Sequence, residues 1–414
     1  MTDHASVSSD AVDAAGGRGC VAVVGAGAMG SGIAQVAAQA GHDVILVDAR
    51  EGAAQAAVER LGATLGTLAG KGRITQEDAD AARSRLSCVD DLRSLPSCRL
   101  VVEAVVEDLE AKREIFATLA SRQDADTILA SNTSSLSITA IAEGIAHPER
   151  IIGLHFFNPP PLMRLVEVVR GARSGADTMT EAVELMTAWG KTPVRCTSTP
   201  GFIVNRVARP FYGEAQRMVQ EGICSAATVD EALRQAGFRM GPLELTDLIG
   251  QDVNLAVGTS VWEQTDHDPR YEPTAFQQDL VAQGALGRKT GHGVYRYDDA
   301  GKPLDAEPDL AAVTALVGGP VRTDPVARTV AMLVNEAVAV VARGEAAPED
   351  VDTAMRLGTN YPRGPIEWGR EIGLDVVGAQ LEELAAIYPT GRYRPSKGLH
   401  LPQVVTPAGV STPG

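Results

Sequence analysis

Glycines stand at positions 25, 27 and 30, with Ala26, Ala28 and Met29 between them, making a Gly-x-Gly-x-x-Gly run. The apolar, β-branched stretch Cys20-Val21-Ala22-Val23-Val24 precedes it, and a segment rich in small residues follows as far as Gly41. A strand that turns sharply into a helix through such a run leaves the helix N-terminus bare, where unpaired N–H groups and the dipole favour a pyrophosphate. Gly25 then permits the tight turn, Gly27 lets the backbone approach the phosphates, and Gly30 lets helix and strand pack closely. Asp48 closes the next apolar stretch, 23 residues after Gly25. A carboxylate there would bond both ribose hydroxyls and repel a 2′-phosphate, so NAD is the expected cofactor. Arg50 is the neighbouring residue that would suit a 2′-phosphate instead.

Of the seven histidines, His155 has a carboxylate expected to face it. Residues 153–157 and 165–169 read as two strands joined by the rigid corner Pro159-Pro160-Pro161. Paired side by side, they bring Glu167 to the imidazole of His155. Such a carboxylate fixes the tautomer and stabilises the imidazolium, leaving the other ring nitrogen as a base. Ser134, in Asn132-Thr133-Ser134-Ser135, and Asn205, in Gly201-Phe202-Ile203-Val204-Asn205, are further polar groups of the same set. By chemistry alone the set reads equally as a structural His–Glu pair with a helix-capping or surface asparagine.

The elements that must position these residues alternate in type. Strands at 20–24, 43–47, 100–102 and 127–130 are separated by helical stretches at 31–40, 51–70 and 107–120, the pattern of a doubly wound α/β sheet. Thr75-Gln76-Glu77-Asp78 carries a capping-box pattern that opens a further helix. Beyond a boundary near Thr199-Pro200-Gly201 strands nearly vanish and amphipathic helical patterns take over. The expected architecture is an α/β Rossmann-type NAD-binding domain over 19–199, then two all-α domains at 200–298 and 325–400. A linker with one short helix fills 299–324, and tails are expected at 1–18 (disordered) and 401–414.

The two helical domains are copies. Gly241-Pro242-Leu243-Glu244 recurs as Gly364-Pro365-Ile366-Glu367, Val229-Asp230 as Val351-Asp352, Glu214-Ala215 as Glu336-Ala337, and Arg270-Tyr271 as Arg392-Tyr393. With Glu336 opposite Glu214, Ala327 falls opposite Asn205, so the second copy is read as structural.

Composition narrows the function classes. The 414 residues carry 37 Lys+Arg against 53 Asp+Glu, a net charge of −16, and 4% aromatics. That disfavours a nucleic-acid partner and docking on anionic membranes. The five cysteines show no metal-ligand spacing and read as unpaired core residues of a reducing compartment. With no apolar leader and no uninterrupted apolar stretch near membrane length, the expected location is the cytoplasm.

The set Gly25-x-Gly27-x-Met29-Gly30, Ser131-Asn132-Thr133-Ser134-Ser135, His155-Phe156-Phe157-Asn158-Pro159, Glu167-Val168-Val169 and Pro200-Gly201-Phe202-x-x-Asn205-Arg206 closely resembles the L-3-hydroxyacyl-CoA dehydrogenases. The element Gly287-x-Lys289-x-Gly291-x-Gly293-x-Tyr295 looks like that family's too. The match runs in order through about residues 19–298, and the duplicated tail resembles the tandem C-terminal domains of longer bacterial members. The resemblance implies NAD as cofactor, an acyl-CoA substrate, and His155 with Glu167 as the acid/base dyad. It implies Ser134 and Asn205 on the substrate oxygens. Around the nicotinamide half it implies Glu107, Lys112, Asn132, Asn158 and Lys289. Lys71, with Thr64, falls where the family contacts coenzyme A. Lys71 also reads as a solvated helix end, and Lys112 with Glu107 as a plain surface pair.

Single-copy members of the family dimerise through the helical domain. The duplication therefore implies either a homodimer or a monomer whose two copies form an intramolecular pseudo-dimer. The alternatives in function are 3-hydroxyadipyl-CoA oxidation in aromatic-acid breakdown, a related hydroxy-acid or sugar-acid dehydrogenase, and a non-catalytic NAD-binding scaffold.

Overall fold

The computed structural model describes residues 19–405, so the tail expected at 1–18, and residues 406–414 of the one expected at 401–414, lie outside the described residues. The apolar stretches become strands β1 (Cys20–Val24), β2 (Asp43–Val47), β3 (Leu86–Cys88), β4 (Leu100–Glu103), β5 (Ile128–Ser131), β6 (Ile151–Phe156), β7 (Leu165–Arg170) and β8 (Thr192–Thr197). They form one sheet in the order β3-β2-β1-β4-β5-β6-β7-β8. Neighbours from β3 to β6 are parallel, and β6 meets β7 antiparallel. Parallel pairing requires crossovers, and these are α1 (Ala28–Gln39), α2 (Ala53–Gly70), α3 (Gln76–Ser84), α4 (Leu109–Arg122) and α5 (Ile138–Ile141), with α6 (Ala176–Ala188) following β7. Helices on both faces leave β4, β5 and β6 buried along their whole length. β1 lies between β2 and β4, where the strand order reverses, and a doubly wound sheet opens its ligand crevice there.

Local chemistry sets the element ends. α1 begins at Ala28, three residues earlier than expected, because the glycine run itself enters the helix. Gly52, at φ 71, keeps α2 from starting before Ala53. Thr75 caps α3 by accepting from the Asp78 N–H at 3.0 Å, and Asp108 caps α4 through the Ala111 N–H at 2.8 Å. Two strands were not expected. β3 is too short to show alternation, and β8 contains Pro193, which a strand at the sheet edge tolerates.

The cysteine reading is corrected. Cys20 on β1 and Cys98, just ahead of β4, are joined in a disulfide, with Cα atoms 4.6 Å apart because the two strands are sheet neighbours. Cys88 and Cys224 are half-buried and only Cys196 among the free cysteines is fully buried.

The chain divides into two compact units at Pro193–Val194. The division precedes the expected boundary because the far half of β8 bonds into the second unit. Cys196 bridges Ala346, and the Thr197 N–H donates to the Glu345 carbonyl at 2.8 Å.

The second unit holds the first copy in α7 (Val204–Val207), α8 (Arg209–Gln220), α9 (Ala226–Gln235), α10 (Pro242–Ile249), α11 (Gln251–Gln264) and α12 (Ala275–Ala282). The segment expected as a linker carries α13 (Leu310–Leu316). The second copy is α14 (Pro325–Ala342), α15 (Pro348–Thr359), α16 (Pro365–Ile372) and α17 (Leu374–Ile387). A short α18 (Pro402–Val405) occupies the start of what was expected to be a tail. α14 is long and apolar enough to cross a membrane, but 83% of it is buried inside the fold.

The copies exchange charges across their contact. Glu214, fully buried, accepts from Arg328 Nε at 2.8 Å, Arg392 Nε at 2.8 Å and the Tyr393 hydroxyl at 2.7 Å. In return Glu336 accepts from Arg206 Nε at 3.0 Å, Arg270 Nη1 at 3.3 Å and the Tyr271 hydroxyl. The pairs 206/328, 214/336, 270/392 and 271/393 share one offset of 122 residues, so this is one interaction used twice about a pseudo-two-fold. Burial alone would raise the Glu214 carboxyl, but the Arg392 and Arg328 guanidiniums outweigh it and hold it down at about 2.

Candidate active site

The turn after β1 has the geometry a dinucleotide requires. Gly25 sits at φ +107, and a Cβ there would come within 2.5 Å of the Ala104 carbonyl oxygen. A Cβ on Gly30 would run into the Gly25 carbonyl, whereas one on Gly27 would meet nothing within 4 Å. So two of the glycines are demanded by the protein's own packing, and Gly27 leaves open space. Gly27 caps α1 without a side chain, and Met29 packs half-buried against the core.

Asp48 Oδ2 accepts from the Ala26 N–H at 2.8 Å, which draws the carboxylate over the glycine turn. Its Oδ1 accepts from Arg50 N at 2.9 Å and Arg50 Nε at 3.0 Å. The Arg50 side chain is the largest influence holding the Asp48 carboxyl down at about 2, against the opposing effect of burial. Arg50 is thus taken up by Asp48. A bare helix N-terminus, an open glycine and an ionised carboxylate drawn over the glycine turn fit NAD.

His155 and Glu167 are a cross-strand pair in register on β6 and β7, so both side chains point to the same face. Nδ1 of His155 lies 2.6 Å from Glu167 Oε2, with the imidazole 8% and the carboxylate 0% exposed. The Phe157 ring leans on the imidazole with centroids 4.5 Å apart. Asn132, at the end of β5, accepts the Phe156 N–H on Oδ1 at 2.9 Å and so braces β6 beside the dyad.

Behind Ser134 lies a buried ionic network that sequence reasoning identified only in part. Lys112 is 1% exposed and its ammonium bonds Glu103 Oε1 at 2.6 Å, with Glu107 Oε2 at 3.5 Å. This corrects the surface-pair reading of Lys112 and Glu107, because the deciding partner is Glu103 at the end of β4. Its signal was a charge closing the otherwise apolar run Leu100-Val101-Val102. Glu103 is fully buried and also accepts from Val105 N at 2.7 Å and Ser131 Oγ at 2.7 Å. Glu107 Oε1 accepts from Thr133 Oγ1 at 2.5 Å and from the Ser134 and Ser135 N–H groups at 3.1 Å each. Burial would raise the Glu107 carboxyl, but these bonds and Lys112 leave it lowered. The loop carrying Ser134 is therefore pinned by a carboxylate anchored to the sheet.

The remaining candidates are dispersed. Asn158 is exposed just after β6, and Thr64 and Lys71 are exposed on and at the end of α2. Thr64 and Lys71 stand two turns apart on one face of that helix, with Thr64 Oγ1 donating to the Arg60 carbonyl at 2.9 Å. Asn205 and Lys289 belong to the second unit. Asn205 sits half-buried on α7, and Lys289 Nζ is paired with Asp252 Oδ1 at 2.6 Å.

Comparison with known proteins bears on these residues. The family model described as "3-hydroxyacyl-CoA dehydrogenase, NAD binding domain" matches residues 20–199. The one described as "3-hydroxyacyl-CoA dehydrogenase, C-terminal domain" matches twice, at 201–297 and 325–401. The chain is 41% identical to the 3-hydroxyadipyl-CoA dehydrogenase of Escherichia coli K12, over 91% of this chain and 95% of that one. The rat mitochondrial hydroxyacyl-coenzyme A dehydrogenase is 41% identical over 67% of this chain and 90% of its own length. A solved structure titled 3-hydroxybutyryl-CoA dehydrogenase, from Escherichia coli K12, superposes with a TM-score of 0.83 at 40% identity, covering 92% of this chain and 97% of that one. The chain belongs to the 3-hydroxyacyl-CoA dehydrogenase family, and its activity is the NAD-dependent interconversion of a 3-hydroxyacyl-CoA and its 3-keto counterpart.

Proposed function

We propose that His155 is the group that exchanges the C3 hydroxyl proton, and the observation that carries this is its 2.6 Å contact with the buried carboxylate of Glu167. With Nδ1 committed to Glu167, Nε2 receives the hydroxyl proton as the C3–H bond breaks. Glu167 fixes the ring and stabilises the imidazolium that results. NAD, when bound, would supply the acceptor for the hydride that leaves C3. Gly25, Gly27 and Gly30 would admit its pyrophosphate, and Asp48 would take its ribose hydroxyls. Ser134 and Asn205 bond the substrate oxygens and hold C3 for transfer. Asn132, Asn158, Glu107, Lys112 and Lys289 order the nicotinamide side, and Thr64 with Lys71 meets coenzyme A. In the reverse direction His155 Nε2 returns the proton to the forming alkoxide. The reciprocal exchange around Glu214 and Glu336 supports an intramolecular pseudo-dimer, in which the second copy takes the place of a partner subunit.

The primary substrate reading is a short-chain (S)-3-hydroxyacyl-CoA such as 3-hydroxybutyryl-CoA. A dicarboxylic reading, 3-hydroxyadipyl-CoA, is favoured by the near full-length relative that bears that name. The dehydrogenase reading is tested by absorbance at 340 nm with NADH and acetoacetyl-CoA or 3-oxoadipyl-CoA, alongside NADPH and alongside free acetoacetate. Oxidation of NADH by the thioester alone is expected. No oxidation with any 3-oxoacyl-CoA removes the reading.

A further inference from the structure

Arg209 opens α8 in the first helical copy, and its guanidinium lines a cavity of about 30 Å³. Arg270 and Arg392 line the same cavity, but Arg270 is bound to Asp268 and Glu336, and Arg392 to Glu214. Arg209 has no carboxylate partner among the described residues. It makes a single hydrogen bond, Nη1 to the Asn254 carbonyl at 3.2 Å, and lies over the Tyr212 ring at 5.0 Å. Its Nε is buried with no partner. Gln216, 2% exposed and lining the same cavity, has an unpartnered buried Nε2 as well. Arg209 is half-buried as a residue, but its Nε is closed off from water, and a buried donor left unused beside a second one is costly unless something anionic joins it.

The duplication separates this residue from the structural ones. At the common offset of 122, Arg206 and Glu214 recur as Arg328 and Glu336, which build the contact between copies. Asn205 and Arg209 become Ala327 and Ala331 in the copy that carries no site. Arg209 is therefore kept or lost together with Asn205, and not with the framework. The two are also placed together. Ala208 continues the helical backbone between α7 and α8 (φ −76, ψ −13), so residues 205 and 209 stand on one face about a turn apart, about 6 Å along the axis. In a six-carbon acyl chain C3 and C6 are three bonds apart, about 4 Å when extended.

We propose that Arg209, with Gln216 beside it, receives the terminal carboxylate of a dicarboxylic 3-hydroxyacyl-CoA whose C3 oxygen is bonded by Asn205. The proposal rests on the dehydrogenase reading above and names the substrate class it selects. The carboxylate would occupy the donors that Arg209 Nε and Gln216 Nε2 leave unused, and the Asn254 carbonyl and Tyr212 ring would hold the guanidinium in place.

The test compares 3-oxoadipyl-CoA with 3-oxohexanoyl-CoA, which has the same chain length and a methyl end, in wild type and in Arg209→Gln. Wild type is expected to favour the dicarboxylate in kcat/KM by about 10- to 100-fold, the usual range for a charge-assisted contact. In Arg209→Gln that ratio is expected to collapse towards one, and Arg209→Lys should recover part of it. Thermal unfolding of each variant shows whether the fold is retained. Wild-type turnover of both substrates without preference, or an unchanged ratio in Arg209→Gln, overturns the proposal and leaves the dehydrogenase reading standing. Absence of turnover with either substrate in wild type overturns the dehydrogenase reading itself.

Discussion

Replacing Glu214 by Gln removes one carboxylate from the doubled charge exchange while keeping its size, and turns one of its two accepting oxygens into an amide donor. It leaves the Arg392 guanidinium, in a residue 4% exposed, and that of Arg328, in a residue 0% exposed, facing a neutral amide. An ordinary glutamate ionises near 4.5, and the value of about 2 held here corresponds to about 3 kcal/mol of stabilisation of the charged form. Breaking a buried pair by removing one member costs about 3–5 kcal/mol. Arg328 keeps Glu221, with Nη2 at 2.9 Å, so the lower end applies. For a folded unit of this size each kcal/mol moves the midpoint by about 2–4 °C, which predicts a fall of about 6–12 °C at pH 7. The pH dependence has a definite sign. Because the folded-state value lies below the unfolded one, the stabilisation is complete above about pH 4.5 and is lost as pH falls towards 2. The gap between wild type and Glu214→Gln should therefore narrow from pH 5 to pH 3. Calorimetry or circular dichroism across that window reads both quantities. A variant melting within about 2 °C of wild type at pH 7, or a gap that does not narrow in acid, would refute the electrostatic account of the contact between copies.

His155→Gln should lower kcat by about 10²- to 10⁴-fold while NAD binding, followed by fluorescence titration, stays nearly intact; near-normal turnover would remove the dyad. Gly30→Ala forces a methyl against the Gly25 carbonyl, so it should both destabilise the first unit and abolish NAD binding. Gly27→Ala meets no protein atom and should weaken NAD binding with the melting temperature unchanged; equal behaviour of the two variants would contradict the division of roles. Lys112→Met leaves Glu103 buried without its cation and should cost about 3–5 kcal/mol, read by chemical denaturation. A loss under 1 kcal/mol would show that the Ser131 and Val105 bonds suffice.

The dinucleotide turn, the His–Glu pair and the duplication are all legible in the sequence, for a shared reason. Each is carried by residues close in sequence or repeated at a fixed interval, so local geometry and spacing reveal them. Gly25 to Asp48 is one strand–helix–strand unit, and the antiparallel register that joins His155 to Glu167 follows from a single short corner. The repeat shows itself through an offset of 122.

What only the tertiary structure decided depends on partners far apart in the chain. Lys112 reads as a surface residue until β4 places Glu103 beneath it, and Cys20 reads as unpaired until β1 and β4 become neighbours. The meaning of Glu214 and Glu336 also waited on the fold, since repeat logic says that they are equivalent but not that each is neutralised by the other copy. Arg209 looks like any helix-opening arginine in the sequence. A buried, unpartnered Nε without a counter-charge is what singles it out, and burial is a property of the packed chain.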